Sequence, residues 1–170
     1  MDWLNDLLDN YKRKEVEVEQ RYRSELNSEL EKKQEMTQKF DKCLKACVLP
    51  VVDKIKGQLE SKYPCESSAP EVRDEKTGEQ LKEKVLLGVI PDKNAPKYDE
   101  YKASIISFSP IPGSGAINVK KLVRKNYDPI AHDSNPIKIN GITEDSIENE
   151  IRNFLEKVFA WNGLPFKPKK

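Results

Sequence analysis

Residues 2–49 decide the fold, and they read DWLNDLLDNYKRKEVEVEQRYRSELNSELEKKQEMTQKFDKCLKACVL without any Gly or Pro. Glu, Lys, Gln, Arg and Leu dominate this stretch, and all of them are good helix formers. Asp2 is a suitable N-cap, and Asn5 and Asp6 complement the positive end of a helix. The stretch therefore predicts one long N-terminal helix.

Apolar and aromatic side chains recur along this helix at spacings of three and four residues, or at sums of these spacings. This is the period of an α-helix, and it places the side chains on one narrow stripe. Charged and polar residues fill the positions between them, which is typical of a coiled-coil seam. The predicted seam consists of Leu4, Leu8, Tyr11, Val18, Tyr22, Leu26, Leu30, Met36, Phe40 and Leu44.

A helix over residues 2–49 is roughly 70 Å long, whereas a small domain is about 30 Å across. The stripe is therefore too extended to be covered by the chain's own globule, and we expect a homodimer that buries it. Glu15, Glu29 and Lys33 lie on or beside the seam, so the expected dimer is a modest one. The alternative is a single solvated helix that is stabilised by charge pairs between residues four apart.

The two ends of this arm differ from its middle. Trp3 and Leu7 widen the apolar face of the first turns, which suits docking in the groove of a protein partner and equally suits the start of the coiled coil. After Phe40 the stripe becomes wider, as in a helix packed on a globule. Because proline lacks an N–H and clashes with the preceding turn, we expect residues 1–63 to form an arm with a kink near Pro50.

Residues 83–162 predict a small α+β domain, in which an antiparallel sheet of three or four strands is covered by a C-terminal helix. Thr143 caps that helix, and its apolar residues from Ile147 to Phe159 share one face. A bulge is expected at Lys120–Lys121, where the alternation of the third strand shifts. The strands are predicted at residues 85–90, 101–109, 116–125 and 136–140.

The remaining segments are polar and carry weaker patterns. Residues 64–82 predict a loop or a weak hairpin, residues 128–135 predict a loop, and residues 163–170 predict a basic tail. The distal part of the N-terminal helix is expected on the other face of the sheet or at one of its edges. The fold class is therefore α+β, with a coiled-coil-type helix in front of the domain.

No pattern in the chain carries recognisable enzymatic chemistry, and we predict no catalytic residue, no metal and no cofactor. Cys43 and Cys47 share a helix face and form a zinc set on paper with Cys65 and His132, but small buried hydrophobes are the simpler interpretation. Gly113–Gly115 lacks the spacing of a phosphate loop and fits a hairpin turn. An enzyme, the third-ranked hypothesis, would need a deep pocket that contains His132.

Charge gives one alternative function. The chain has 30 Lys and Arg against 29 Asp and Glu, so its net charge of +1 gives no general attraction to nucleic acid. Locally, the third strand gathers cations that can contact phosphates, although it lacks the aromatic residues on which single-stranded bases stack. The candidate nucleic-acid contacts are Lys120, Lys121, Arg124 and Lys125.

The leading hypothesis is a non-enzymatic oligomerising interaction or adaptor protein. The helix would form a homodimer, and the small domain would be presented to an unidentified protein partner. The alternative is a nucleic-acid-associated protein that uses the basic strand at residues 120–125 and the basic tail. The N-terminus lacks the features of a secretory signal and no apolar run is long enough to span a bilayer, so we expect no membrane partner and a cytoplasmic location.

Overall fold

Helical backbone runs without a break from Asp2 to Leu59 in the computed structural model, which describes residues 2–75 and 77–163. It comprises helix α1 (Asp2–Cys43), a π-helical segment (Leu44–Val48) and helix α2 (Leu49–Leu59). The predicted long N-terminal helix is thereby confirmed. The chain divides into two compact units between Thr37 and Gln38, so the end of α1 is part of the second unit.

The π-helical segment lies immediately before Pro50. Leu49 donates its backbone N–H to the carbonyl oxygen of Leu44, five residues back instead of four. Pro50 lies in the first turn of α2, where it has no N–H to donate and where its ring would crowd a carbonyl of a regular helix. A π turn is a common way for a helix to absorb such an irregularity. Pro50 therefore does not end the helix. Where a kink was predicted, the helix instead changes its winding over one π-helical turn.

The second unit contains a five-stranded antiparallel sheet, one or two strands more than predicted, and a separate two-stranded hairpin. The strands are β1 (Cys65–Ser68), β2 (Glu71–Arg73), β3 (Gln80–Lys82), β4 (Val85–Val89), β5 (Ser104–Ile111), β6 (Ala116–Lys125) and β7 (Asp128–Lys138). The order in the sheet is β1, β4, β5, β6, β7, and β2 pairs with β3 in the hairpin. The polar segment 64–82 thus supplies an edge strand as well as the weak hairpin.

One face of the sheet is covered by helices and forms the core. Helix α3 (Glu144–Trp161) packs on β5 and β6, whereas α2 contacts β1 and β4. Because α2 and the π-helical segment also contact α3, the helices lie side by side on the same face. Of the two placements expected for the distal N-terminal helix, the other face of the sheet is therefore wrong, whereas a position at an edge agrees with the contact between α2 and the edge strand β1. The six core residues of α3 are the predicted ones: Ile147, Ile151, Phe154, Leu155, Val158 and Phe159.

Helix α3 begins where the sequence indicates. The Thr143 hydroxyl accepts the backbone N–H of Ser146 at 3.1 Å, and the Ser146 hydroxyl accepts the backbone N–H of Thr143 at 2.9 Å. This capping box satisfies two donors that a helix start would otherwise leave unpaired. At the other end, the Asn162 amide donates to the carbonyl of Arg124, which ties the end of α3 to β6.

The edge strand β7 differs from the sequence-based prediction for this segment. Residues 128–135, predicted as a loop, pair with β6 over almost their whole length. The irregularity of that ladder lies between Val123 and Arg124, so the bulge predicted at Lys120–Lys121 is displaced along the strand. Most side chains of β7 are exposed, and the strand contains Pro129 and Pro136. Proline is tolerated on a strand only where no ladder hydrogen bond is required, as at an edge.

Candidate protein–protein interface

The exposed apolar stripe of α1 is the candidate functional surface. Within the unit that ends at Thr37, the five stripe residues from Tyr11 to Leu30 retain between 43% and 66% of their accessible surface. Exposed apolar side chains in a continuous row are unusual on a monomeric protein and are typical of an interaction site. These five residues are Tyr11, Val18, Tyr22, Leu26 and Leu30.

The stripe has a polar counterpart on the opposite side of the helix. At 100° per residue, Ser24 lies about half a turn away from the midpoint between Tyr22 and Leu26. A shallow groove on this side is lined by side chains without large apolar groups. The helix is thus amphipathic with a narrow apolar face, which is the pattern of a coiled-coil helix. The groove is lined by Gln20, Arg23, Ser24, Asn27, Ser28 and Glu31.

The predicted seam does not have one environment along its length. Leu4 and Met36 are half-buried and Leu8 is exposed, whereas Phe40 and Leu44 are buried within the chain itself. Phe40 and Leu44 lie beyond the boundary at Thr37 and belong to the core of the second unit. They therefore cannot serve a seam with another molecule, and the candidate interface ends before Phe40.

The first turns of α1 present the other candidate partner contact. Trp3 and Leu7 are both exposed, and they lie among the exposed carboxylates of Asp2, Asp6 and Asp9. The side chains are placed as predicted, on the first two turns of the helix. The exposed indole offers a large apolar contact area, and the side chains around it are acidic. An apolar groove with basic residues at its rim would therefore complement it.

A buried carboxylate that the sequence analysis missed fixes the end of α1 in the second unit. Asp41 accepts the backbone N–H of Lys82 at 2.7 Å and lies 2.9 Å from the ammonium of Lys45. Its side chain is almost inaccessible to solvent. Charge-assisted hydrogen bonds are among the stronger polar contacts in proteins, so Asp41 pins β3 to the helix. In the sequence, an aspartate among helical charges gives no signal of this role.

The candidate nucleic-acid contacts are not brought together on one surface. Lys121 faces the helices, where its ammonium lies 2.6 Å from Glu150 Oε2 of α3, and both side chains are largely buried. Lys120 points to the opposite face and is exposed, because neighbours on a strand alternate. Arg124 donates to the carbonyls of Ala103 and Tyr127, and Lys125 is exposed at the strand end. Lys121 is therefore structural, and the predicted set does not form a continuous basic patch.

The thiols of Cys43 and Cys65 lie in environments that disfavour the thiolate. Burial, and then the neighbouring thiol of Cys47, raise the pKa of Cys43 from 9.0 to about 11. Burial also raises the pKa of Cys65, whose Sγ lies 3.7 Å from the carbonyl oxygen of Lys56. Since the thiolate is the reactive and metal-binding form, these environments disfavour both roles. Across residues 2–75 and 77–163, no group of three or more His, Cys, Asp or Glu side chains is arranged to hold a metal ion.

The two remaining motifs occupy ordinary surface positions. His132 lies exposed on β7 opposite Leu122, so it is not enclosed in a deep pocket. That exposure removes the version of the enzyme hypothesis that depends on a pocket around His132. Gly113 and Gly115 both have positive φ in the turn between β5 and β6, which confirms the predicted hairpin.

No family model, curated protein or solved structure matches this chain. Within the described part of the chain, every helix is either too short or too polar to cross a bilayer. The exposed stripe of α1 and the surface of the second unit are therefore the features that bear on function.

Proposed function

We propose that this protein is a non-enzymatic interaction protein that forms a homodimer through the apolar stripe of α1 and presents its α+β unit to a protein partner. The observation that carries the proposal is the continuous exposure of the stripe from Tyr11 to Leu30. Transfer of apolar surface out of water is the main driving force of association, and a second helix of the same type is the simplest cover for so narrow a row.

The charges around the stripe favour a helical partner over a lipid surface. The exposed helix carries Glu and Lys side chains on both sides of the stripe, and its first turns are acidic. Membrane-surface helices instead have polar faces rich in Lys and Arg. Charges that flank an apolar seam are the residues that set orientation and partner choice in coiled coils.

The open face of the sheet is the surface that the α+β unit offers to a partner. Leu86, Ile105 and Leu122 are half-buried there, between the polar side chains of Ser107 and Asn118. An antiparallel sheet with one covered and one solvated face is common. Half-exposed aliphatic groups interspersed with hydrogen-bonding groups give this face the mixed character of a non-obligate interface.

The dimer is tested by light scattering of the full chain at tens of micromolar. We expect a dimer for the wild type and a monomer for Leu26→Glu or Leu30→Glu, because a carboxylate in an apolar seam raises the dissociation constant by roughly 100-fold. The matched control is Ser24→Glu on the polar side of the same helix, which should remain dimeric. A wild-type chain that stays monomeric would overturn the proposal.

A second measurement separates loss of the dimer from loss of the fold. The tryptophan at position 161 lies on α3, in the second unit, so its fluorescence in a Trp3→Phe background reports on that unit alone. We expect the same guanidinium midpoint for the unit in Leu26→Glu and in the parent at concentrations where both are monomeric. Capture of partners by the full chain and by Leu26→Glu would then show whether dimerisation is needed for recruitment.

A further inference from the structure

We infer that the occupant of the stripe is a second copy of this chain in antiparallel orientation, centred on Ser24. The inference depends on the proposed homodimer and adds the register of its two helices. The residues concerned lie between Tyr11 and Thr37, all within the first compact unit. The spacing of the stripe and the two charges that interrupt it favour this orientation.

The spacing of the stripe is the same in both directions. Between the two interrupting charges, the row runs through residues 15, 18, 22, 26, 30 and 33. The steps are three, four, four, four and three, so the sequence of steps reads identically from either end. The central run of four-residue steps corresponds to a stutter, which locally unwinds a coiled coil. A helix turned end over end therefore meets the row in register at every layer.

The antiparallel register gives each layer a complementary pair. Tyr22 comes level with Leu26 of the partner subunit, and Val18 comes level with Leu30 of the partner subunit. Large aromatic groups thus face aliphatic ones near the two-fold axis, where a parallel register would place each tyrosine against its own copy. In antiparallel coiled coils an a position of one helix packs against a d position of the other, so each layer pairs two different sequence positions.

The interrupting charges decide between the two orientations. Glu15 and Lys33 are exposed on α1, and the antiparallel register places Glu15 level with Lys33 of the partner subunit. The two-fold axis produces this pair twice. A parallel register would instead place two Glu15 carboxylates together and two Lys33 ammonium groups together. Like charges brought together at an interface are strongly unfavourable, so the same residues that weaken a parallel coil stabilise the antiparallel one.

Charge reversal tests the orientation with the full chain. Glu15→Lys alone and Lys33→Glu alone each place like charges in two layers, and each should raise the dimer dissociation constant about tenfold or more. The double variant should regain the wild-type value, and an equimolar mixture of the two single variants should form heterodimers. Glu31→Lys on the polar side is the control and should leave the constant unchanged. Single reversals that leave the dimer unaffected would overturn the inference, because a parallel seam is insensitive to them.

Disulfide trapping gives an independent readout. In the antiparallel register, the two Glu15 positions of a dimer are about 27 Å apart along the axis, whereas Glu15 and Lys33 of the partner subunit are level. Under mild oxidation, a mixture of Glu15→Cys and Lys33→Cys should give a disulfide-linked mixed dimer. Either variant alone should give no more cross-linked product than the wild type, whose native thiols set the background. Self-cross-linking of Glu15→Cys would overturn the register but leave the proposed homodimer standing. A wild-type chain that is monomeric by light scattering would overturn both.

Discussion

Replacing Lys121 with methionine should destabilise the second unit strongly, because it would leave Glu150 buried beside an apolar side chain. The ammonium of Lys121 lies 2.6 Å from Glu150 Oε2, with 9% and 20% of the two side chains exposed. Removing one partner of a buried ion pair costs about 3–5 kcal/mol. Since 20% of the Glu150 side chain is exposed to water, we expect a cost somewhat below this range, about 2–3 kcal/mol, or roughly 10 °C in melting temperature for a unit of this size.

The double variant Lys121→Met/Glu150→Leu distinguishes a buried charge from simple loss of packing. When both charges are replaced with apolar groups of similar volume, neither is left without a partner, and the stability should return to within about 1 kcal/mol of the parent. Guanidinium denaturation at fixed protein concentration measures all three variants through Trp161 fluorescence in the Trp3→Phe background. The coupling energy of the cycle then gives the interaction itself.

Two results would refute this reasoning. If Lys121→Met were as stable as the parent, the carboxylate of Glu150 would have to be satisfied by other groups. If the double variant were no more stable than Lys121→Met, the loss would come from packing around position 121. Either result would also mean that Lys121 is not held by Glu150 and is free to contact an anionic ligand.

Three further predictions concern positions whose environment is well defined. Gly88→Ala should destabilise the second unit by about 1–3 kcal/mol, because an added Cβ would lie 2.9 Å from Cζ of the Tyr98 ring. Gly57→Ala, where the added Cβ meets open space, should not destabilise it, and denaturation midpoints measure both variants. Thr143→Ala should cost about 1 kcal/mol by the same assay, because it removes the capping box of α3. Because the pKa of the Cys43 thiol is raised to about 11, the thiol should be alkylated slowly at pH 8 and faster as the pH approaches 11. The folded state favours the neutral thiol, so the contribution of Cys43 to stability should be full below pH 9 and should be lost as the pH rises to about 11. Rapid alkylation of native Cys43 at pH 8, or a stability that increases between pH 9 and 11, would contradict this.

The elements that depend on local chemistry could be predicted from the sequence. Helix α1 follows from its composition, β6 was predicted with its observed bounds at residues 116–125, and α3 begins after Thr143 as expected. In each case a strong periodic pattern or a specific cap coincides with the element. Such agreement between local preference and overall fold is typical of natural sequences.

The elements that depend on distant contacts could not be predicted. Residues 128–135 have the composition of a loop, and they become a strand only because the edge of β6 offers them a ladder to pair with. Lys121 was predicted as a candidate nucleic-acid contact, and its burial could not be foreseen because its partner, Glu150, comes from a helix later in the chain. Phe40 and Leu44 continue the period of the stripe, and only the fold shows that they are covered by the second unit.

The candidate interface itself was predictable in position but not in extent. Leu26 and Leu30 lie on the exposed face, as their spacing indicates. The basic tail predicted at residues 163–170 lies, apart from Gly163, outside the described residues, so its role as an additional cationic segment stays a prediction.

The prolines of β7 have a consequence for how copies of this protein can meet. A strand from another molecule that docked beside β7 would find two positions, Pro129 and Pro136, that donate no hydrogen bond. The far border of the sheet, β1, is only four residues long and is in contact with α2. Growth into fibre-like stacks by edge-to-edge addition is therefore disfavoured at both borders, which leaves the stripe of α1 as the surface for the proposed self-association.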